Sequence, residues 1–394
     1  MGRSITQAGG GGGGGISSDK YGHTGNRNST ALFTGNGSFT WNIPSNFDSS
    51  IPIRVWVYGA GGCGGNSGGS GTGYGGGAGG LAWAEIPADS NITAGGSVSI
   101  TVGQGSRTYN GNAGTSSFGS YMSATGGNSG SSSSNNQGQS SYGNGGMGVS
   151  GTITSSNFRG GQGGSGSVNP SSGYGGGGGS APHPDHFKNG YEGGNSFSYV
   201  GGSGASINFP GKRPYTSYTS QGGSGTAGYG QSSVNTSTNY SFGGHGGPGL
   251  DGAGGRGGSS GGYSNAAAYG NSADDGKGSA IWGANHIFLG GGGGGGNSAT
   301  YHSSDRQGSN AGCGGPGAGG GSVHSYSSTA NMSYMMGGGG GVLGGGGGTG
   351  QYNVGGCGGT AGGGGGSGYG AYPTNTQAHG WGGDGMVFIQ YATN

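Results

Sequence analysis

The residues best suited to bind a metal ion form one short cluster, His183-Pro184-Asp185-His186. Two imidazoles and a carboxylate in so short a span are metal ligands in type. However, Pro182 and Pro184 disfavour the helix that would bring both imidazoles to one side, so only an extended loop could chelate an ion. We therefore favour a solvated loop, and the sequence predicts neither a bound metal nor any other cofactor.

Acid-base catalysis has little support in the sequence. A glycosidase needs two carboxyl groups across the scissile bond, one of them protonated. The chain has 11 acidic residues in all, and the adjacent pair Asp274-Asp275 lies among Gly and Ser residues, as in a solvated turn. No Ser-His-Asp or Cys-His arrangement can be distinguished, and motifs such as G-x-G-x-x-G arise by chance in this composition. We predict that the protein is not an enzyme.

Aromatic side chains that lie beside polar ones are the strongest candidates for binding. Exposed rings stack on sugar faces, while Asn, Ser and Tyr side chains bond the sugar hydroxyls, and a few aromatic residues usually dominate a binding surface. The alternative is that these rings cap the glycine-rich segments and are partly buried. The candidate binding residues are Phe209, Tyr215, Tyr218, Trp282, His286, Phe288, Tyr326 and Tyr334.

Charge and cysteine content exclude several classes of protein. The formal net charge is +1 and the 12 basic residues are scattered, which argues against a nucleic-acid partner, because phosphate recognition needs clustered Lys and Arg. No apolar stretch reaches the roughly 20 residues of a membrane span, so we predict no membrane insertion. Cys63, Cys313 and Cys357 each lie between glycines. Three cysteines without a CxxC motif fit neither a disulfide framework nor a zinc site.

Glycine accounts for 122 of the 394 residues and occurs in uninterrupted runs such as Gly290 to Gly296. Collagen needs glycine at every third position with frequent proline, and this chain does not have that pattern. Pure glycine runs favour a bundle of polyproline-II-like strands, termed polyglycine II, with three residues per turn. In such a bundle, backbone groups bond sideways to neighbouring strands and any Cβ atom would hold the strands apart. A strand at the edge of the bundle can carry a side chain on its outer face, which fits the Gly-Gly-X stretches.

Ordinary β-strand patterns lie at the two ends of the sequence. Ile53-Arg54-Val55-Trp56-Val57-Tyr58 alternates, and Met386 to Tyr391 is a strand with no local partner. We predict an all-β framework from 31–125 plus 386–391, with almost no α-helix. It encloses a polyglycine II bundle with variable loops over 126–385, so that 31–394 is one domain. Residues 1–30 form a glycine-rich, polar N-terminal segment suited to attachment.

The framework sequences resemble a known family. The relevant sequences are Val55-Trp56-Val57-Tyr58-Gly59-Ala60-Gly61-Gly62, Gly79-Gly80-Leu81-Ala82, Ile100-Thr101-Val102-Gly103-Gln104-Gly105, Thr115-Ser116-Ser117-Phe118-Gly119 and Gly385-Met386-Val387-Phe388-Ile389. Together they look like the glycine-rich domain of bacteriophage tail proteins. The glycine tract with variable spacers is similar to the distal tail-fibre adhesins of T-even-like phages, which fold as a polyglycine II sandwich. The framework match covers about a third of the chain, and no separate N-terminal fibre-attachment domain is visible.

The resemblance implies a function at the surface of a virion. It implies a non-catalytic phage tail adhesin that binds a host bacterial receptor, either a glycan or an outer-membrane protein, through loops that carry the aromatic candidates above. Its other partners would be phage tail or fibre proteins, with one copy or three per fibre. Two alternatives stay open. One is a structural fibre or virion decoration protein, and the other is an ice-binding protein, against which the irregular Tyr- and Phe-containing spacers argue.

Overall fold

The structure is a computed structural model that describes most of the chain. The described residues are 27–65, 72–89, 91–108, 111–133, 143–169, 172–197, 200–214, 220–232, 243–256, 273–284, 287–299, 310–325, 336–349, 354–368 and 379–394.

The described part of the chain is all-β and contains no helix, as predicted. The strands in chain order are β1 (Ser29–Thr34), β2 (Gly37–Asn42), β3 (Ile53–Tyr58), β4 (Thr72–Gly73), β5 (Leu81–Ile86), β6 (Ser97–Val102), β7 (Ser116–Phe118), β8 (Met122–Ala124), β9 (Ser132–Ser133), β10 (Gly148–Ser150), β11 (Ser156–Phe158), β12 (Ser167–Asn169), β13 (Ser172–Tyr174), β14 (Ala280–Trp282), β15 (Ile287–Leu289), β16 (Asn297–Ala299), β17 (Val323–Ser325) and β18 (Met386–Tyr391).

Two antiparallel sheets of five strands each form the framework. Sheet 1 has the order β1-β18-β3-β5-β11, and sheet 2 has the order β10-β8-β7-β6-β2. Alternating apolar residues from both sheets meet between them, among them Val55 and Ile389 from sheet 1 and Trp41 and Phe118 from sheet 2. Period-2 alternation places these side chains on one face of each strand, and burying them against each other makes a sandwich core.

The strand β18 occupies the centre of sheet 1, as the sequence predicts for an apolar strand without a local partner. It pairs antiparallel with β1 on one side and with β3 on the other. All six residues of β3 and all six of β18 are buried. Sheet 1 is therefore covered on both faces, by sheet 2 on one side and by the glycine-rich part of the chain on the other.

The framework includes two strands that the sequence interpretation placed in the glycine insertion. β10 pairs with β8 at one edge of sheet 2, and β11 pairs with β5 at one edge of sheet 1. Both strands are short and carry mainly small or polar residues, so neither shows the apolar alternation by which the other framework strands are recognised. The β framework thus extends past 125 to include 148–158.

Between and after these strands, glycine-rich segments cross a second layer, which we call the glycine core. Its segments are 59–65, 73–80, 125–131, 143–148, 159–166, 174–180, 190–197, 200–206, 211–214, 220–225, 229–232, 243–248, 253–256, 273–278, 290–296, 310–314, 318–322, 336–341, 344–349, 354–359, 362–368 and 379–385.

Hydrogen bonds in the glycine core radiate from each segment to several others. Successive N–H groups donate to three different neighbours and then return to the first: Gly175 to Thr349 (2.8 Å), Gly176 to Gly73 (3.1 Å), Gly177 to Gly194 (2.9 Å) and Gly178 to Gly346 (2.8 Å). This period of three residues is the one expected for polyglycine II. The polyglycine II dihedral angles themselves remain a prediction. Because each segment is bonded on several sides, side chains have no room at its interior positions.

Tight turns close the glycine core at one end, which we call the proximal end, against the outer face of sheet 1. Apolar residues of these turns pack with Trp56, Tyr58 and Phe388 of sheet 1. The turn residues are Ala181, Ile207, Leu289, Leu343 and Ala361, each 5% exposed or less. One buried cluster therefore joins the two layers.

At the other end of the core, which we call the distal end, residues of neighbouring segments again hydrogen-bond to each other. Gly65 accepts from Ser367, Ser367 accepts from Gly73, and Thr349 donates to Gly366. Farther across, Val323 donates to Gly348 and Ser322 donates to Gln221. The segments consequently run back and forth between two ends of different character, a proximal end with buried turns and a distal end away from the framework.

Acid sensitivity is expected from His379, which is 2% exposed at the end of a distal stretch. Burial lowers its pKa below 6.5, and Nε2 lies 3.0 Å from the carbonyl oxygen of Arg107, a contact that acts in the opposite direction. The folded state therefore resists protonation while the unfolded state accepts it, so His379 costs stability as the pH falls below about 6.5. We expect the free energy of unfolding, measured in urea, to fall less for His379→Gln than for the wild type when the pH is lowered from 7.5 to 5.5. Equal losses would contradict this assignment.

Candidate functional site

Three of the eight candidate binding residues fall in described parts of the chain. They are Phe209, Trp282 and Phe288, all half-buried. The other five, Tyr215, Tyr218, His286, Tyr326 and Tyr334, lie outside the described residues.

Phe209 lies in a proximal turn and belongs to a small aromatic and cationic patch. Its N–H donates to Ser206 Oγ at 2.9 Å, which fixes the turn. Its ring packs edge-on against Tyr229, with centroids 4.9 Å apart, and the Lys212 ammonium lies 5.2 Å from the Tyr229 centroid. Tyr229 is 46% exposed. An exposed ring with a cation over it can stack on a sugar or another flat ligand.

Sequence reasoning did not include Tyr229 in this group. Tyr229 stands alone between Gly228 and Gly230, and only the folded structure brings its ring to Phe209 and Lys212. The neighbouring Arg213 guanidinium lies 4.6 Å from the Phe197 ring centroid. The adjacent basic residues Lys212 and Arg213 therefore each lie over an aromatic ring.

Trp282 and Phe288 lie on the β14–β15 hairpin, which covers part of sheet 1. The Trp282 ring packs edge-on against Phe388 at 5.1 Å, and Gln390 Nε2 donates to the Gly283 carbonyl at 2.6 Å. Trp282 therefore covers part of the β framework, which differs from both expectations for these rings, namely binding a ligand or capping the glycine-rich segments. Phe288 pairs across the hairpin with Ile281, which is 43% exposed.

A cleft of about 380 Å³ opens where the hairpin meets the edge strand β1. Its lining residues are Asn28, Thr30, Ala280, Ile281, Trp282, Gly283 and Ala284. The Asn28 amide is already committed, since Nδ2 donates to the Thr393 carbonyl at 2.8 Å and Oδ1 accepts from the Thr393 N–H at 2.9 Å. None of the residues that line the cleft contacts Phe209 in the described structure. The contacts described therefore do not join Phe209 and Trp282 into one site.

The His183-Pro184-Asp185-His186 cluster fastens the glycine core to sheet 1. His183 Nδ1 accepts the N–H groups of Asp185 and His186, both at 3.0 Å. The carbonyls of Pro184 and Pro182 accept from Trp56 Nε1 and the Tyr58 hydroxyl, at 3.1 and 3.2 Å. With Nδ1 occupied by two donors, His183 is tied into the turn, and it is buried rather than part of the solvated loop expected from the sequence. Over the described residues, no group of three or more His, Cys, Asp or Glu side chains is placed to hold a metal ion.

Phe187, next to this cluster, adopts a left-handed backbone conformation with φ of 46°. Its ring lies 4.7 Å from the Trp83 ring and is stacked 5.8 Å from Phe158. A non-glycine residue in this conformation is strained, and the two ring contacts offset that strain. The turn is therefore built to place one more aromatic ring on sheet 1.

Short polar side chains cap N–H groups at the surface of the glycine core, a role that sequence reasoning missed. Asn195 Oδ1 accepts from Ser165 N at 2.7 Å, and Asn310 Oδ1 accepts from Met336 N at 2.9 Å. Asp275 Oδ1 does the same for Cys313 N at 2.6 Å. Asp274 and Asp275 are solvent-exposed, as predicted, but they lie in a glycine-core segment rather than in a turn, and the Asp274 carbonyl accepts from the Gly295 N–H.

Comparison with known proteins agrees with this architecture at the level of the family. The glycine-rich domain family matches residues 33–262, more than half of the chain, and the protein belongs to that family. No curated protein and no solved structure matches the chain significantly. Among the described residues, no helix has the length and hydropathy needed to cross a lipid bilayer.

Proposed function

We propose that this glycine-rich domain protein is a non-catalytic bacteriophage tail adhesin that binds a receptor on the surface of the host bacterium. The observation that carries the proposal is the difference between the two ends of the glycine core. The proximal turns are short and buried on sheet 1, so they serve the fold. At the distal end, described residues such as Ser325 and Met336 are separated in sequence by polar stretches that contain tyrosines. Variable loops on a rigid scaffold are typical of binding proteins.

This arrangement leads us to divide the candidate residues between the two ends. Tyr215, Tyr218, Tyr326 and Tyr334 fall in stretches whose flanking described residues are distal, and we propose that they contact the receptor. Trp282, His286 and Phe288 belong to the stretch that contains the proximal hairpin, and Phe209 belongs to a proximal turn. They suit contacts with the rest of a tail fibre. The virion, acting at the host surface, is the corresponding location.

Binding to whole cells tests the proposal directly. Purified protein is expected to bind cells of a susceptible host and to block infection by competition. If it binds no susceptible host but does bind tail or fibre proteins, it is a structural component of the virion. A thermal-hysteresis measurement checks the remaining alternative, since ice binding would give activity without any cell.

A replacement of residues 326–335 by a Gly/Ser stretch of equal length tests which end binds. We expect host binding to fall by about 30-fold or more, the loss typical of removing binding hot spots. The melting temperature should change little, since surface changes usually cost under about 0.5 kcal/mol. The matched control is Leu250→Ser, a change at a proximal turn residue that is 59% exposed, and it should leave binding intact. Equal effects of both changes would contradict a distal binding surface.

A further inference from the structure

One exposed face of the glycine core carries two cysteines in a single row. Five segments lie side by side there, and each donates a backbone hydrogen bond to the next at the same level. These bonds run from Gly358 to Trp381, from Gly340 to Cys357, from Gly314 to Gly339 and from Gly276 to Cys313, at 2.8, 2.8, 2.8 and 2.7 Å. The row is therefore Trp381, Cys357, Gly339, Cys313 and Asp275. Both cysteines are exposed, and neither forms a disulfide.

Gly339 leaves a gap between the two cysteines. A Cβ atom added at Gly338 or Gly340 would meet backbone oxygen at 1.8 or 2.2 Å, whereas one at Gly339 would meet only Cys313 Sγ at 3.4 Å and the Cys357 carbonyl at 3.5 Å. Gly339 thus faces outward, and the Cys313 sulfur leans over it. Burial raises the pKa of the Cys313 thiol, the hydrogen bond from the Gly339 backbone lowers it, and the neighbouring Asp275 carboxylate and Cys357 thiol raise it.

The spacing of the row prevents the two cysteines from bonding to each other. Hydrogen-bonded extended segments lie about 4.8 Å apart, so two such steps separate the Cα atoms by roughly 9–10 Å. A disulfide requires less than about 7 Å between Cα atoms. An ion with two sulfur bonds of about 2.3 Å spans about 4.6 Å between sulfurs, which two cysteine side chains can reach by leaning together over the gap.

We propose that Cys313 and Cys357 form a binding site for one soft, thiophilic cation such as Cu(I), held between two thiolates above Gly339. Thiolate sulfur selects Cu(I) over harder ions. Binding forms two metal–sulfur bonds and releases the two thiol protons to solvent, with no change in oxidation state. The third cysteine, Cys63, is fully buried and hydrogen-bonded to Ser129 at 3.2 Å, so it does not compete.

Anaerobic titration of the full chain with Cu(I), against a chromogenic Cu(I) chelator, tests the site. We expect one tightly held Cu(I) per chain, with X-ray absorption showing two sulfur neighbours. Cys313→Ser and Cys357→Ser should each abolish this binding while circular dichroism and melting temperature stay as in wild type, because both side chains are exposed. Cys63 remains in both variants and serves as an internal control thiol.

Three outcomes would overturn the proposal. They are no Cu(I) held against the chelator by the wild type, retention of one Cu(I) by either serine variant, or two Cu(I) ions per chain of which each variant loses one. The site does not depend on receptor binding, so the cell-binding experiments and this titration can fail separately.

Discussion

Replacing Gly293 by alanine is expected to lower the free energy of unfolding by at least about 3 kcal/mol, the upper part of the range for overpacked interiors. An added Cβ atom would lie 1.9 Å from the carbonyl oxygen of Gly223 and 2.5 Å from its carbon. These are backbone atoms of a neighbouring segment, so they cannot rotate away as a side chain would. Gly293 also donates to Gly247 and accepts from Gly255, and separating the segments would strain both bonds. Gly293→Val should be worse.

The matched control for this prediction is Gly339→Ala. The new methyl group would make only ordinary contacts, 3.4 Å or longer, and Gly339 does not have a positive φ. Removing a glycine at a compatible position restricts the unfolded chain and stabilises by about 0.4–1 kcal/mol. Denaturant unfolding of the two variants should therefore shift in opposite directions. Similar shifts in the same direction would mean that the segments are not in backbone contact.

The second large effect is expected from Phe388→Ala, with a loss of about 3–5 kcal/mol, as for other buried phenylalanines. Phe388 is fully buried. Its ring lies 5.5 Å from the Trp56 ring and 5.1 Å from the Trp282 ring. It therefore packs on sheet 1 and also supports the hairpin that covers the sheet. Its removal leaves a cavity at the junction between the framework and the glycine core.

Phe288→Ala is the corresponding control, because Phe288 is only half-buried on the same hairpin. Its loss should cost well under 3 kcal/mol, and chemical denaturation measures both variants. Tryptophan fluorescence gives a second readout, since Phe388→Ala should shift the emission of Trp282 to longer wavelength as water reaches the junction. If Phe288→Ala were the more damaging change, the hairpin would not be held through Phe388.

The apolar strands of the framework could be predicted from the sequence because their side chains identify them. The alternation of Ile53, Val55 and Val57 indicates a strand with one core face, and these residues lie in the core between the sheets. β18 was equally recognisable, and its lack of a local partner indicated its return to the first strands. The strands β10 and β11 were missed, since an edge strand can be built from residues such as Ser156 and Asn157 that carry no apolar pattern.

The arrangement inside the glycine core could not be predicted in the same way. Identical glycine runs carry no side chains that distinguish one neighbour from another, so the sequence does not tell which segments touch. The Phe209–Tyr229 contact and the capping of Cys313 by Asp275 both depend on that choice of neighbours. Both features therefore appear only when the hydrogen-bonding pattern between segments is known.

The central position of β18 has a consequence for biosynthesis. β18 lies between β1 and β3, yet the ribosome makes it after the whole stretch from 59 to 385. Until then, β1 and β3 have no strand between them, and sheet 1 cannot close while the chain is being translated. The nascent chain must keep these apolar strands from pairing wrongly throughout elongation. Sheet 1 is therefore completed only after the glycine tract has been synthesised.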